Sequence, residues 1–126
     1  MDSGKILIID NSKKDMDSLS ALLDEEGYQV CRVNTGRDGI KKLKSGVFDL
    51  IITDIAFTDI KGADLIIQLR RAAKKKTPIL VLSEQDETEA IEELFQQGVD
   101  DYIVKPPRIS YLIKRVESLV SGVSPN

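Results

Sequence analysis

Histidine and tryptophan are absent from this sequence, and cysteine occurs once. With one cysteine and no histidine, a structural zinc site is excluded, since such sites take four nitrogen or sulfur ligands. The lone Cys31 has no partner for an internal disulfide, in keeping with a reducing cytoplasm. Any bound metal is therefore expected to be a hard cation held by oxygen atoms. Long hydrophobic runs are missing as well: no apolar stretch approaches the roughly 18 residues that a bilayer crossing needs. The first residues, Met1-Asp2-Ser3-Gly4-Lys5, include an acid and no basic segment, and Lys5 leads straight into a strand-like run, so a signal peptide is not expected. Basic excess is lacking too, and a net charge of −3 argues against nucleic-acid binding by this domain. No repeat or low-complexity tract appears.

What is present has the composition of an ordinary soluble domain. The 126 residues, 41% hydrophobic and 31% charged, suffice for a single domain with a proper core. Charge is spread unevenly: eight acids and no Lys or Arg lie between Glu84 and Asp101, and five basic residues without an acid lie between Arg70 and Lys76. Two solvated faces are the plainer explanation, and a polarised surface that steers partner proteins is the sharper one.

Apolar runs alternate with helical patterns along the whole chain. Lys5 to Ile9 reads as a strand covered on both faces, stopping at Asp10-Asn11-Ser12, where Asn11 or Ser12 can cap a helix. That helix carries Met16, Leu19, Leu22 and Leu23 and ends near Gly27. A second strand spans Gln29 to Val33, Asn34-Thr35-Gly36 is a turn, and a short helix follows with Ile40 and Leu43 on one face. A third strand spans Phe48 to Thr53 and is ended by Asp54, with a loop to Gly62. The next helix places Leu65, Ile66 and Leu69 inward and finishes on a basic last turn, Lys74-Lys75-Lys76. Ile79 to Leu82 is the fourth strand, with Ser83 at its end. Ile91, Leu94 and Phe95 mark a fourth helix. Tyr102-Ile103-Val104 is the fifth strand, closed by Lys105-Pro106-Pro107. The last helix carries Ile109, Leu112, Ile113, Val116, Leu119 and Val120.

Five strands alternating with five helices imply an α/β fold, a parallel sheet with helices on both faces. Functional groups of such sheets gather at the carboxyl ends of the strands. There the sequence puts Asp10, Asp54, Ser83 and Lys105: two carboxylates, one hydroxyl and one cation on a single edge. Alone, each has a plainer use as a turn former, a cap or a surface lysine. Together they match phosphoryl transfer to a carboxylate, because two converging acids call for a cation such as Mg²⁺, while lysine and hydroxyl can hold an anion.

Those residues and their surroundings resemble the receiver domain of response regulators in bacterial two-component signalling, from Lys5 to Val120. The resemblance is carried by Ile6-Leu7-Ile8-Ile9-Asp10-Asn11, Asp49-Leu50-Ile51-Ile52-Thr53-Asp54, Gly62, Pro78-Ile79-Leu80-Val81-Leu82-Ser83, and Gly98 through Pro106. It implies the CheY-like, flavodoxin-like strand order 2-1-3-4-5 and one receiver domain over residues 1–126, with a core of about 4–121 and a tail over 122–126. It implies that Asp54 accepts a phosphoryl group from a sensor histidine kinase or phosphotransfer protein. Ser83 and Lys105 would contact that group, and Mg²⁺ would be held by Asp10, Asp54, the Ala56 carbonyl and, weakly, Asn11. Tyr102 corresponds to the switch aromatic that acts with Ser83, and Lys105–Pro106 to the cis peptide. By the same resemblance, Glu84 and Gln85 would be modulators of the site. The chain would be a cytoplasmic signalling domain, not an enzyme beyond self-phosphorylation and self-dephosphorylation. Its output would pass through the fourth helix, fifth strand and fifth helix to an effector or to a second copy, without a membrane or nucleic acid as partner.

Three features depart from the family pattern, one of them the loop after Asp54, where Phe57-Thr58 and Ile60-Lys61-Gly62 stand in place of the usual Met-Pro and acid-Gly ending. Asn11 is neutral where active receivers usually carry a second acid, which leaves Asp10 as the only expected carboxylate companion of Asp54. Glu84 replaces a small residue beside Ser83. These departures favour an alternative, a degenerate receiver that serves as a phosphorylation-independent interaction module. A flavodoxin-like cofactor enzyme is disfavoured because Asp10-Asn11-Ser12-Lys13-Lys14 has no glycine with which to cradle phosphate.

Overall fold

In the computed structural model, which describes residues 3–122, ten elements alternate along the chain. They are β1 (Lys5–Ile9), α1 (Lys13–Glu25), β2 (Gln29–Val33), α2 (Gly36–Ser45), β3 (Leu50–Thr53), α3 (Gly62–Ala72), β4 (Ile79–Ser83), α4 (Thr88–Gln96), β5 (Asp101–Val104) and α5 (Ile109–Ser121). The five strands form one parallel sheet in the order β2-β1-β3-β4-β5. The expected tail over 122–126 lies outside the described residues except for Gly122, which ends α5 at φ 75°.

Side-chain alternation within the apolar strands decides which layer each residue joins. Ile6, Ile8, Leu50 and Ile52 pack with Leu19 and Leu23 of α1 and with Leu112 and Val116 of α5. Their neighbours Leu7, Ile9, Ile51 and Val81 pack with α2, α3 and α4 through Ile40, Leu65, Leu69 and Leu94. Each such burial contributes about 1.5–3 kcal/mol. The chain thus leaves β1 toward one face and β3 toward the other, and the neighbouring carboxyl ends of these strands frame a crevice.

Local chemistry sets the details. Ser12, not Asn11, caps α1, its hydroxyl accepting the Asp15 N–H at 3.2 Å. Thr35 caps α2 in the same way, so the expected turn shortens and Gly36 opens the helix. Gly39 lets α2 sit against β1, since a Cβ there would lie 2.4 Å from Ile9 Cδ1.

Three expectations are corrected. Helix α3 stops at Ala72, so Arg70 and Arg71 form its basic last turn and Lys74-Lys75-Lys76 lie beyond it. Arg70 instead reaches the Thr77 and Gly98 carbonyls and Asp100, and Lys75 pairs with Asp49 at 2.7 Å. Those bonds draw the chain out of the helix. The third strand begins at Leu50, because the Asp49 carboxylate receives the Lys5 N–H at 2.8 Å. Ile109 and Phe95 are exposed, and Leu94 alone is buried on α4.

Candidate functional site

Strands β1 and β3 run in register, Ile9 opposite Thr53, so the residues that follow emerge side by side. Asp10 N–H donates to the Val33 carbonyl at 3.1 Å and Asp54 N–H to the Ile9 carbonyl at 2.9 Å, fixing both at the sheet edge. Both residues are buried, Asp10 at 4% and Asp54 at 8% exposure, which makes their bonding decisive. One oxygen of each is occupied by nearby backbone. Asp10 Oδ1 accepts the Ser12 N–H at 2.9 Å, and Asp54 Oδ1 accepts those of Ile55 and Ala56 at 2.6 and 3.1 Å.

The remaining oxygens converge on a single cation. Lys105 Nζ donates to Asp10 Oδ2 at 2.8 Å and to Asp54 Oδ2 at 3.0 Å. Its backbone N–H donates to the Ser83 carbonyl at 2.8 Å, which anchors the loop after β5 to the end of β4. The Lys105–Pro106 peptide is cis. Lys105 also donates to Asp15 Oδ2 at 2.9 Å, so Asp10 is not the only carboxylate companion of Asp54. Burial works against the Lys105 ammonium, but hydrogen bonds to Asp10, Asp15 and Asp54 outweigh it and hold its pKa above the usual lysine range. Chiefly through its hydrogen bond to Lys105, Asp15 has its carboxyl lowered. Three carboxylates against one ammonium leave this cluster with two uncompensated negative charges.

Asn11 behaves differently from the expectation that it offers an oxygen. Its Nδ2 donates to the Ala56 carbonyl at 3.4 Å, so the two weaker expected metal donors face each other. An amide has donors that a carboxylate lacks, and here one meets the nearest carbonyl. Ser83 is buried at the end of β4, its hydroxyl accepting the Gln85 N–H at 3.3 Å. Tyr102 is half-buried and its hydroxyl donates to the Gln85 carbonyl at 2.7 Å. Burial pushes the Tyr102 phenol pKa up, and the charges of Asp54 and Asp86 add to this against a hydrogen bond with Ser83. Glu84 is exposed and stands on the wall of an open groove of about 860 Å³ between α1 and α5, alongside Asp15, Lys105 and Pro106.

Four expected residues, Asp10, Asp54, Ser83 and Lys105, are therefore brought to one edge, and Tyr102 joins them through the loop after β4. Asp15 was missed. Its signal is the spacing Ser12-x-x-Asp15, a capping pattern that places an acid in the first helical turn beside the strand end. Among the described residues no cluster of three or more acids, histidines or cysteines has a metal-holding arrangement. Two buried carboxylate oxygens sharing one cation nevertheless suit Mg²⁺, which takes one or two carboxylates and keeps water for the rest. Among the described residues no helix is long and apolar enough to cross a membrane.

The sequence model of the family described as "Response regulator receiver domain" matches residues 6–117. The chain is 34% identical over 116 residues to the transcriptional regulatory protein PcoR of Escherichia coli, covering 92% of this chain and 51% of that protein. It spans about half the length of the curated relatives it matches. Among solved structures, a two-component response regulator from Clostridium difficile superposes with a TM-score of 0.88 at 28% identity, covering 96% of this chain and 98% of that one. The receiver domain of a signal transduction histidine kinase from Syntrophus aciditrophicus gives 0.85 at 30%, covering 98% and 94%.

Proposed function

We propose, on the premise that the chain belongs to the response regulator receiver domain family of bacterial two-component signalling, that Asp54 is its phosphoacceptor. The observation that carries this reading is the convergence of Asp10 and Asp54 on the Lys105 ammonium at 2.8 and 3.0 Å, inside a buried edge that also holds Ser83. An isolated carboxylate is a weak nucleophile for phosphorus, because its charge repels the phosphoryl oxygens. Lys105 offsets that repulsion, and its raised pKa keeps it charged throughout the physiological range.

In the transfer, an Asp54 carboxylate oxygen forms a bond to phosphorus as the phosphorus–nitrogen bond of a phosphohistidine breaks. The imidazole leaves with that electron pair and is protonated from water. Lys105 moves from a carboxylate partner to a phosphoryl oxygen, and the Ser83 hydroxyl turns from the Gln85 amide toward another. Asp10 and Asp54, with the Ala56 carbonyl and more weakly Asn11, are the residues that would hold Mg²⁺, which when bound supplies positive charge to the phosphoryl oxygens. Release of the Gln85 N–H by Ser83 alters the loop that Tyr102 holds through its hydroxyl, linking modification to the α4-β5-α5 face. The same acceptor chemistry admits small phosphodonors, hence self-phosphorylation, and water, hence self-dephosphorylation.

The receiver unit runs over about residues 4–121 in this reading. Its partners are a sensor histidine kinase or phosphotransfer protein and a downstream effector or second copy, in the cytoplasm. Acetyl phosphate with millimolar Mg²⁺, followed by intact mass measurement, tests the reading. One added phosphoryl group that is lost in Asp54→Asn is expected. A folded, unmodified wild type would instead favour a binding module that does not use phosphate.

A further inference from the structure

Lys105 Nζ sits among three carboxylates, but they are not equivalent. Asp10 and Asp54 are buried, and each spends one oxygen on backbone N–H groups. Asp15 comes from the first turn of α1 with 43% of its side chain exposed, and among the described residues its carboxylate accepts no backbone N–H. Its own N–H is capped by Ser12, and the Ser12 N–H is bound by Asp10, so one short segment sets the spacing of the two acids. Asn11, between them, brings no charge.

The oxygens that suit a divalent cation, Asp10 Oδ2 and Asp54 Oδ2, are those that Lys105 holds. A dication on that pair of oxygens would stand close to the ammonium, and the two like charges repel. Lys105 must therefore withdraw from them when a metal binds, and a buried ammonium withdraws cheaply only if a partner remains. Asp15 Oδ2, 2.9 Å from Nζ, is that partner, and it lies toward the open groove between α1 and α5.

We propose that Asp15 is a positioning residue of the phosphoacceptor pocket: it retains Lys105 when a divalent cation takes the Asp10 and Asp54 oxygens, and supplies a third negative charge to an edge where Asn11 supplies none. The proposal rests on the phosphoacceptor reading of Asp54. Asp15 touches neither the phosphoryl group nor the metal and acts through Lys105.

The test is a Mg²⁺ titration of the whole chain, followed by the backbone amide signals of Ile55 and Ala56 together with the Lys105 side-chain ammonium signal. Wild type is compared with Asp15→Asn, Asp15→Glu and Asp17→Asn. Asp17 pairs with Lys13 and Arg32 on the outer side of α1, so its variant loses the same charge away from the pocket. Asp15→Asn should weaken Mg²⁺ binding by roughly ten-fold and shift the Lys105 signal before metal is added. Asp15→Glu should recover most of the affinity, and Asp17→Asn should leave both readouts near wild type. Equal weakening in Asp15→Asn and Asp17→Asn, or unchanged affinity in Asp15→Asn, overturns the proposal. So does a wild type that fails to bind Mg²⁺. A wild type that binds Mg²⁺ with the expected order among variants, yet takes no phosphoryl group from acetyl phosphate, leaves Asp15 in its role and rejects the phosphoacceptor reading.

Discussion

The β1–β3 edge and the α4-β5-α5 face are built to opposite specifications. At the first, buried strands end on two buried carboxylates, and one ammonium ties loops from three elements together. At the second, α4 buries only Leu94, and Phe95, Val104, Ile109 and Tyr111 are 40–53% exposed. On the reading proposed above the first is a phosphoryl site, which needs fixed positions, because its electrostatic advantage depends on oxygens and cation being in place beforehand. On the same reading the second is a reporting surface, which needs elements that move at small cost, and α4, with one buried residue, supplies such an element. Between the two lies the loop after β4, held by Ser83 from one side and Tyr102 from the other.

Lys105→Met strikes the rigid side hardest. It leaves buried Asp10 and Asp54 adjacent without their cation, and chemical denaturation without metal should show a loss of about 3–5 kcal/mol, partly recovered on adding Mg²⁺. Leu94→Ala tests the other side. It should cost about 2–3 kcal/mol, and amide hydrogen exchange should show α4 losing protection while β1 and β3 keep theirs. A uniform loss across the chain would erase the contrast. Gly39→Ala should cost about 1–3 kcal/mol, because its Cβ would press on Ile9, the residue before Asp10.

Tyr102→Phe should have a smaller effect, about 1 kcal/mol, through loss of the hydroxyl bond to the Gln85 carbonyl. The expected signature is shifted amide signals in the loop after β4, with Ile55 and Ala56 unmoved. The smallest effect concerns pH. The Asp15 and Asp49 carboxyls, lowered by their lysine hydrogen bonds, contribute stability that is present above the ordinary value of 3.8 and lost as pH falls through their lower folded-state values. Thermal melts should therefore show Asp15→Asn with a shallower acid-side decline than wild type.

The sheet and the address of the site could be read from sequence because both follow from periodicity. Continuous apolar strands such as Ile6 to Ile9 demand cover on both faces, and parallel strands then deliver Asp10, Asp54, Ser83 and Lys105 to one edge. Asp15 was hidden because an acid in a first helical turn is equally well explained by the helix dipole and by capping. The pairing of Asn11 with Ala56 depends on how the loop after β3 folds back, which no local pattern announces. The end of α3 depended on Arg70 finding the Thr77 carbonyl just beyond the helix and the Gly98 carbonyl 28 residues on, which no local pattern announces. Ile109 matched the helical period and is nevertheless exposed, since periodicity marks a stripe but not the point where its cover ends.

The most direct measurement is a crystal structure of the chain with Mg²⁺ and beryllofluoride. The expected result is beryllofluoride on an Asp54 carboxylate oxygen, contacted by Lys105 and Ser83, with Mg²⁺ on Asp10 and Asp54 and Lys105 still in contact with Asp15. Beryllofluoride absent from Asp54 in crystals that contain Mg²⁺ at the same edge, with Lys105 still bonded to Asp10 and Asp54, would contradict it.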